Sequence, residues 1–366
     1  MKVAIITCYK YPDYGRAVAL RAGLKADPDL QTIIIKNSYK GPLRYPEVFF
    51  RTFWLHLKER PNVYLLTFRG YEMLPAILLI ALRKPVVLDE LVNPMEVVSE
   101  HRQLHKDTLV GTMMAGWSML GSIYNLLLRR CWRVIADTSV HAAYSAKLSG
   151  VTFDRYRVVP VGADESIFKP PANKPTHNPD KFTVLYYGSM VPLHGLDYVL
   201  YAAERLKDHR EINFILIGGG QNAANMVATA RAHGAIVEHR EWIEPTDLPE
   251  LIGRAGLCLG GPFGNTVQSQ LITTGKTYQF LACGAPVLIG ETKETLGSQL
   301  FIDKTNCLMV PQGSAQAIAD AVLWAVTNRK ELGHIGQAGN KLYEQEFSQL
   351  VISQKLSSML AELPRK

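Results

Sequence analysis

The stretch Thr273–Gly290, TTGKTYQFLACGAPVLIG, decides how this chain is read. Its Gly-Lys-Thr matches the last letters of a phosphate-binding P-loop. That loop needs a further Gly five residues ahead of the Gly-Lys pair, so that backbone N–H groups wrap the phosphates. The position is Gln270, and the NTVQSQLITT before it is polar and irregular where a buried strand should stand. The stretch instead reads as a helix begun by Thr273 or Thr274, stopped at Gly284 and followed by the buried strand APVLIG. Lys276 then falls in the first helical turn, at the positive end of the helix dipole, an unfavourable place for a cation unless an anion binds there. Gln279 lies one turn on, sharing a face with Lys276 and within reach of a ribose hydroxyl. The competing reading leaves Lys276 as a long side chain reaching to water.

The same strand-then-helix unit recurs on both sides. KVAIITC, TIIIKN, VYLLTF, PVVLDE, RVIADT and YRVVPVG come first, short, β-branched and bounded by turn residues. FTVLYYGS, NFILIGG, AIVEHREW, GLCLGG, APVLIGE and NCLMVPQ follow. Strands alternating with helices build parallel sheets covered on both faces, an α/β fold. The Pro- and Asn-rich KPPANKPTHNPDK, residues 169–181, reads as a linker. The expected organisation is a domain over 1–168, the linker over 169–181, and a domain over 182–347. A helix over 348–366, with no strand after it, is expected to pack back on the first domain. A length of 366 residues agrees with two cores.

Two strand-to-helix turns in the second half offer backbone to a ligand. VLYYGSMVPLHGLDYVL runs from a strand through Gly188 and Ser189 to His194 and a helix start, which favours an anion. His194 can add partial positive charge there. NFILIGGGQN ends in three glycines, among them Gly219, without the full dinucleotide spacing. LGGPFGN, carrying Phe263 and Gly264, follows a third strand at the same sheet edge. In the first half PVVLDE ends at Asp89 and Glu90, two acids able to accept a hydroxyl proton if they face a ligand, and otherwise ordinary capping or salt-bridge acids. Gly15 and Arg16 lie at the first strand-to-helix turn, and Arg69 at the end of another strand, candidates for lining a ligand site in the first half, which the resemblance given below makes the acceptor side.

Charge is uneven. Residues 1–170 hold 23 Lys/Arg against 15 Asp/Glu, a balance of +8, and the rest of the chain balances at −1. Nucleic acid finds support only in this charge and is not expected as a partner. An anionic membrane surface finds more: YPEVFFRTFWLHLKER interleaves aromatics with Arg, Lys and His at helical spacing. Thr108–Leu128 is uncharged over a span-length run, yet it is rich in Gly, Ser and Thr and lies between two strands of one sheet. Ordinary helix packing is the first account of both segments and peripheral membrane contact the second; a transmembrane span is not expected. The five cysteines are scattered, without a Cys-x-x-Cys pair, which suits a reducing cytoplasm and argues against zinc and disulfides.

Taken in order, ADTSVHAAY, VVPVGADESIF, YYGSMVPLHGLDYVLYAA, ILIGGG, EWIEPTDLPELIGRAGLCLG, GPFGN and KTYQFLACGAPVLIG resemble family 4 retaining glycosyltransferases of the GT-B fold, the glycosyl transferases group 1. The resemblance implies two Rossmann-like domains facing a cleft, with a nucleotide-sugar donor in the second and a glycan or lipid-linked acceptor in the first. It implies no required cofactor and no metal, and a place in cell-surface glycan or glycolipid synthesis at the cytoplasmic side of the membrane. It puts Lys276 and His194 on the donor diphosphate, the Phe263-Gly264 backbone on sugar and phosphate, and the leaving phosphate in the part of the base. The chain departs from the family where relatives carry two glutamates eight apart. Gln279 replaces the ribose-binding one and Gly261 stands at the other. A non-catalytic nucleotide-sugar-binding protein of the same fold is the alternative.

Overall fold

The computed structural model describes residues 1–95, 121–171 and 180–363. The chain forms two compact units, Met1–Gly162 with Gln349–Lys366, and Ala163–Ser348. Each is built on a six-stranded sheet whose strands all pair in parallel.

The first sheet holds β1 (Lys2–Thr7), β2 (Gln31–Lys36), β3 (Val63–Leu66), β4 (Val86–Asp89), β5 (Arg133–Ala136) and β6 (Tyr156–Val158), in the order β2-β1-β3-β4-β5-β6. Its strands are apolar without alternation because helices cover both faces. Side chains still alternate between those faces. Ala4, Ile6, Tyr64, Leu66 and Leu88 join one core cluster, and Val3, Ile5, Val63, Leu65 and Val87 the other. The second cluster is completed by the last helix, Gln349–Ala361, through Ile352, Leu356, Met359 and Leu360. That helix packs on Gly15–Ala26 so closely that a side-chain carbon on Gly23 would lie 2.9 Å from Ile352. Gln349 Nε2 donates to Ala19 O at 2.8 Å.

The second sheet holds β7 (Phe182–Gly188), β8 (Ile212–Gly218), β9 (Val237–Arg240), β10 (Leu257–Leu259), β11 (Val287–Glu291) and β12 (Leu308–Pro311), in the order β12-β11-β10-β7-β8-β9. The second unit starts at Ala163, ahead of the boundary expected at 168. Ala163 N donates to the Tyr343 hydroxyl at 3.2 Å, and that hydroxyl donates to Glu165 at 3.1 Å. Both contacts tie this segment to the helix Arg329–Glu346.

Part of the Thr108–Leu128 segment and part of the 169–181 linker lie outside the described residues. Residues 121–128 are helical and bury Tyr124 and Leu128. Among the described residues no helix is long and apolar enough to cross a membrane.

Candidate functional site

In the second sheet the chain steps from β7 outward to β8 and β9, then crosses to the other side of β7 to lay down β10, β11 and β12. The direction reverses between β7 and β10. At such a switch point the loops beyond the carboxyl ends of the two strands part and leave a crevice for a ligand. Gly188 ends β7 and Ser189 follows it, Gly219 follows β8, and Phe263 and Gly264 follow β10, so these residues singled out by sequence gather at one edge.

Two of these loops are locked together through bare backbone. Gly264 N donates to Leu193 O at 3.1 Å. A side-chain carbon at Gly264 would lie 2.2 Å from Pro192 O, and one at Gly195 would lie 2.5 Å from Gly264 N. Gly195 also has φ +66, left-handed backbone that side chains disfavour. Gly195→Ala is therefore expected to part the two loops and lower the melting temperature, at roughly 1–3 kcal/mol of strain. Thermal unfolding of the variant checks this.

The helix Gly275–Ala282 brings up the cation. Thr274 occupies the N-cap position, but its hydroxyl does not cap the helix. It donates to Gly260 O at 2.7 Å and meets the Thr277 hydroxyl at 3.0 Å, which fastens the helix start to the loop after β10. Lys276 does not reach to water. It is 6% exposed, its Nζ sits 4.2 Å from the Tyr186 ring centroid, and Nζ has no hydrogen-bond partner among the described residues. Burial lowers its pKa to about 7.

His194 Nδ1 is likewise buried without a partner. A side-chain carbon on Gly188 would meet His194 Nδ1 at 3.8 Å and Lys276 Nζ at 4.0 Å, so both nitrogens border the space that this glycine leaves open. The expectation that His194 adds positive charge is corrected. Burial first, and Lys276 second, lower its pKa to about 2, so the ring is neutral and offers a hydrogen bond in place of a charge. The Tyr186 hydroxyl holds this turn by donating to His194 O at 2.9 Å.

Gln279 is half-buried, and its Oε1 accepts from the Tyr187 hydroxyl at 2.7 Å. The two tyrosines were not singled out from sequence. A Tyr-Tyr pair ending the strand before a Gly is the signal that was there to be read. Tyr187 also packs edge-on against Phe280 at 5.0 Å, which fixes where its hydroxyl points.

The residues assigned to the first half do not form one cluster. Arg16 is buried and turns inward: its Nη2 lies 2.8 Å from Asp89 Oδ1, its Nε donates to the same carboxylate at 3.1 Å, and Nη1 donates to Val159 O at 2.8 Å. Arg16 is thus a strut rather than a ligand contact, and Asp89 is its counter-ion. Glu90 is buried elsewhere, accepting from Tyr124, Ser145 and Asn93. Neither acid is placed to take a proton from a ligand. Gly15 is exposed at the start of its helix with open space about it.

The first sheet reverses direction between β1 and β3, and an aromatic cluster stands beyond those two strands. Tyr9 lies 5.5 Å from Tyr14 and 5.4 Å from Phe68, centre to centre, with the Arg69 guanidinium 5.9 Å above Tyr9. Arg69 has φ +58, a left-handed value rare outside glycine and asparagine. Of the first-half candidates only Arg69 belongs to this cluster. Among the described residues no group of three or more His, Cys, Asp or Glu is placed to hold a metal ion.

Comparison with curated protein sequences gives no match. Among solved structures, sucrose-phosphate synthase of Thermosynechococcus elongatus superposes with a TM-score of 0.76 at 15% identity, covering 99% of this chain and 98% of the other. HepE of Anabaena, solved with UDP and with UDP-glucose, superposes with a TM-score of 0.72 at 14% identity, over 99% of this chain and 100% of HepE. TarM of S. aureus, solved with UDP and alpha-GlcNAc-glycerol, reaches 0.62 at 14% identity, over 85% of this chain and 58% of TarM. Residues 181–328 match the family model described as glycosyl transferases group 1. The chain has the GT-B fold of two Rossmann-like domains, and the group 1 glycosyltransferase match falls on the domain that carries the Gly188, His194 and Lys276 crevice.

Proposed function

We propose that this protein is a metal-independent retaining glycosyltransferase of family 4. In this reading it moves a sugar from a nucleoside diphosphate donor to an acceptor hydroxyl in the synthesis of a cell-surface glycan or glycolipid. The observation that carries the proposal is the buried, unpartnered Lys276 ammonium beside an open glycine. A buried ammonium without a counter-charge is unfavourable by several kcal/mol, so the fold holds it where an anion completes it. The donor diphosphate is that anion in this reading. Neutral His194 donates a hydrogen bond to it, and the Phe263-Gly264 backbone lines the sugar side. Gln279, held by Tyr187, addresses the ribose. The UDP complexes of HepE and TarM support the assignment.

In the reaction so assigned, the bond from the sugar C1 to the phosphate oxygen breaks. A bond from C1 to the acceptor oxygen forms on the same face. The acceptor proton passes to the leaving phosphate oxygen, whose charge Lys276 stabilises as it develops. No side-chain base is invoked, since Asp89 and Glu90 are both engaged in buried contacts. The acceptor is assigned to the first unit, with Arg69 and its aromatic neighbours as the contacts.

The absence of a carboxylate at both Gly261 and Gln279 favours one competing reading, a nucleotide-sugar-binding protein without transfer. A donor panel scored for released nucleoside diphosphate separates the two. Release that depends on added glycan or lipid acceptor and survives EDTA is the expected result. A donor that binds, seen as a melting-temperature shift, with no release under any acceptor would leave the binding-protein reading.

A further inference from the structure

One face of the helix Arg44–Glu59 is unexplained by folding. The helix buries Val48 and Thr52 against the first sheet. Phe50, Phe53, Trp54 and Leu57, spaced i, i+3, i+4 and i+7, lie on the opposite side and are exposed, Trp54 at 68%. A surface helix normally carries polar residues there. The neighbouring helix Leu74–Ala81 adds Leu79 at 75%, and Leu82 beyond its end adds 76%. Leu82 has φ +55, an unfavourable backbone for a branched side chain displayed to solvent.

The unpaired charges that adjoin these residues in sequence have one sign. Glu47, Glu59 and Glu72 are each engaged, with Arg51, with Lys2, and with Arg44 and Arg69. Lys58, Arg60, Arg83 and Lys84 are exposed and make no ion pair with another described residue. Rings and leucines protruding beside unpaired cations match an anionic bilayer in two ways. The apolar side chains enter the headgroup boundary and the cations meet lipid phosphates. A second copy of the chain presents the same cations and would be repelled, which makes a symmetric dimer on this face the poorer occupant.

We infer that the helix Arg44–Glu59, with Leu79 and Leu82 beside it, docks the first unit on an anionic lipid surface. Trp54, Phe50, Phe53 and Leu57 insert, and Lys58, Arg60, Arg83 and Lys84 bind headgroup phosphates. The inference does not depend on the donor assignment.

Co-sedimentation of the full chain with 100 nm vesicles tests it, comparing phosphatidylcholine alone with a mixture containing phosphatidylglycerol. Binding to the anionic vesicles alone is expected. Since each surface Lys or Arg contributes about fivefold in partitioning, the K58E/R60E/R83E/K84E variant should fall by two orders of magnitude or more. The F50S/W54S/L57S variant should lose binding with a melting temperature close to that of the wild type, because at least half of each side chain is already exposed. Recovery with neither vesicle, or equally with both, overturns the inference. So does a chain that elutes as a dimer and becomes a monomer in F50S/W54S/L57S without binding vesicles, which would make the face a self-association surface. Donor binding in both variants should equal that of the wild type, so failure here is distinguishable from failure of the glycosyltransferase reading.

Discussion

Lys276→Met is expected to lower affinity for a nucleoside diphosphate by roughly 30-fold to several thousand-fold, as when one partner of a buried charge pair is removed, while raising the melting temperature of the ligand-free protein. Both effects come from one observation. The ammonium is buried over the Tyr186 ring with no hydrogen-bond partner among the described residues, so in the free protein it is a liability and in the proposed complex it is the counter-charge. Methionine has nearly the same length and no charge to desolvate. The sign of the pH dependence follows. The folded pKa, near 7, is below the ordinary value of 10.5. Between those limits the unfolded chain holds the proton and the folded one does not, so wild-type stability rises with pH across that window. Below about pH 7 the penalty is present in full, and above pH 10.5 it is gone. Lys276→Met should flatten that rise, which thermal unfolding at a series of pH values measures. A variant less stable than the wild type at pH 6 would mean that the ammonium has a partner after all.

The second large effect lies in the first unit. Asp89→Ala leaves the Arg16 guanidinium buried without its salt-bridge partner, with backbone carbonyls as its remaining hydrogen-bond acceptors. Breaking such a pair costs about 3–5 kcal/mol, and in a unit of this size the melting temperature should fall by roughly 10 °C. The double variant Arg16→Met/Asp89→Leu should recover most of that loss, because a buried pair replaced by apolar residues of similar volume is near neutral. Calorimetry of the single and double variants gives the coupling directly. If Asp89 were instead a base working on an acceptor, the double variant would regain stability and lose all transfer activity. In the present reading it keeps a substantial part of that activity.

These two sites differ in how far they were legible in the sequence. Lys276 was conspicuous because a cation in the first turn of a helix runs against the local dipole, and helix boundaries are a local property. All twelve strands were legible for the same reason, since short runs, most of them apolar or β-branched and bounded by turn residues, are also a local signal. What the helix start does with its threonine was not legible. Thr274 has the ordinary cap residue type, yet its hydroxyl goes to Gly260, a choice made by the neighbouring loop. Arg16 and Asp89 are 73 residues apart, and Tyr187 and Gln279 are 92 apart. Such pairs meet only once the strand order is set, and residue type alone does not say whether an Arg near a strand end turns inward or outward. His194 was misjudged because its charge depends on burial and on Lys276, neither of which spacing reveals.

The most direct test of the donor crevice is titration calorimetry of UDP and GDP into the wild-type chain at pH 8, in two buffers of different ionisation enthalpy. A diphosphate on Lys276 raises its pKa, so binding should take up close to one proton, and the uptake should vanish in Lys276→Met together with most of the affinity. Binding of neither nucleotide, or binding with no proton uptake and undiminished in Lys276→Met, would contradict the account.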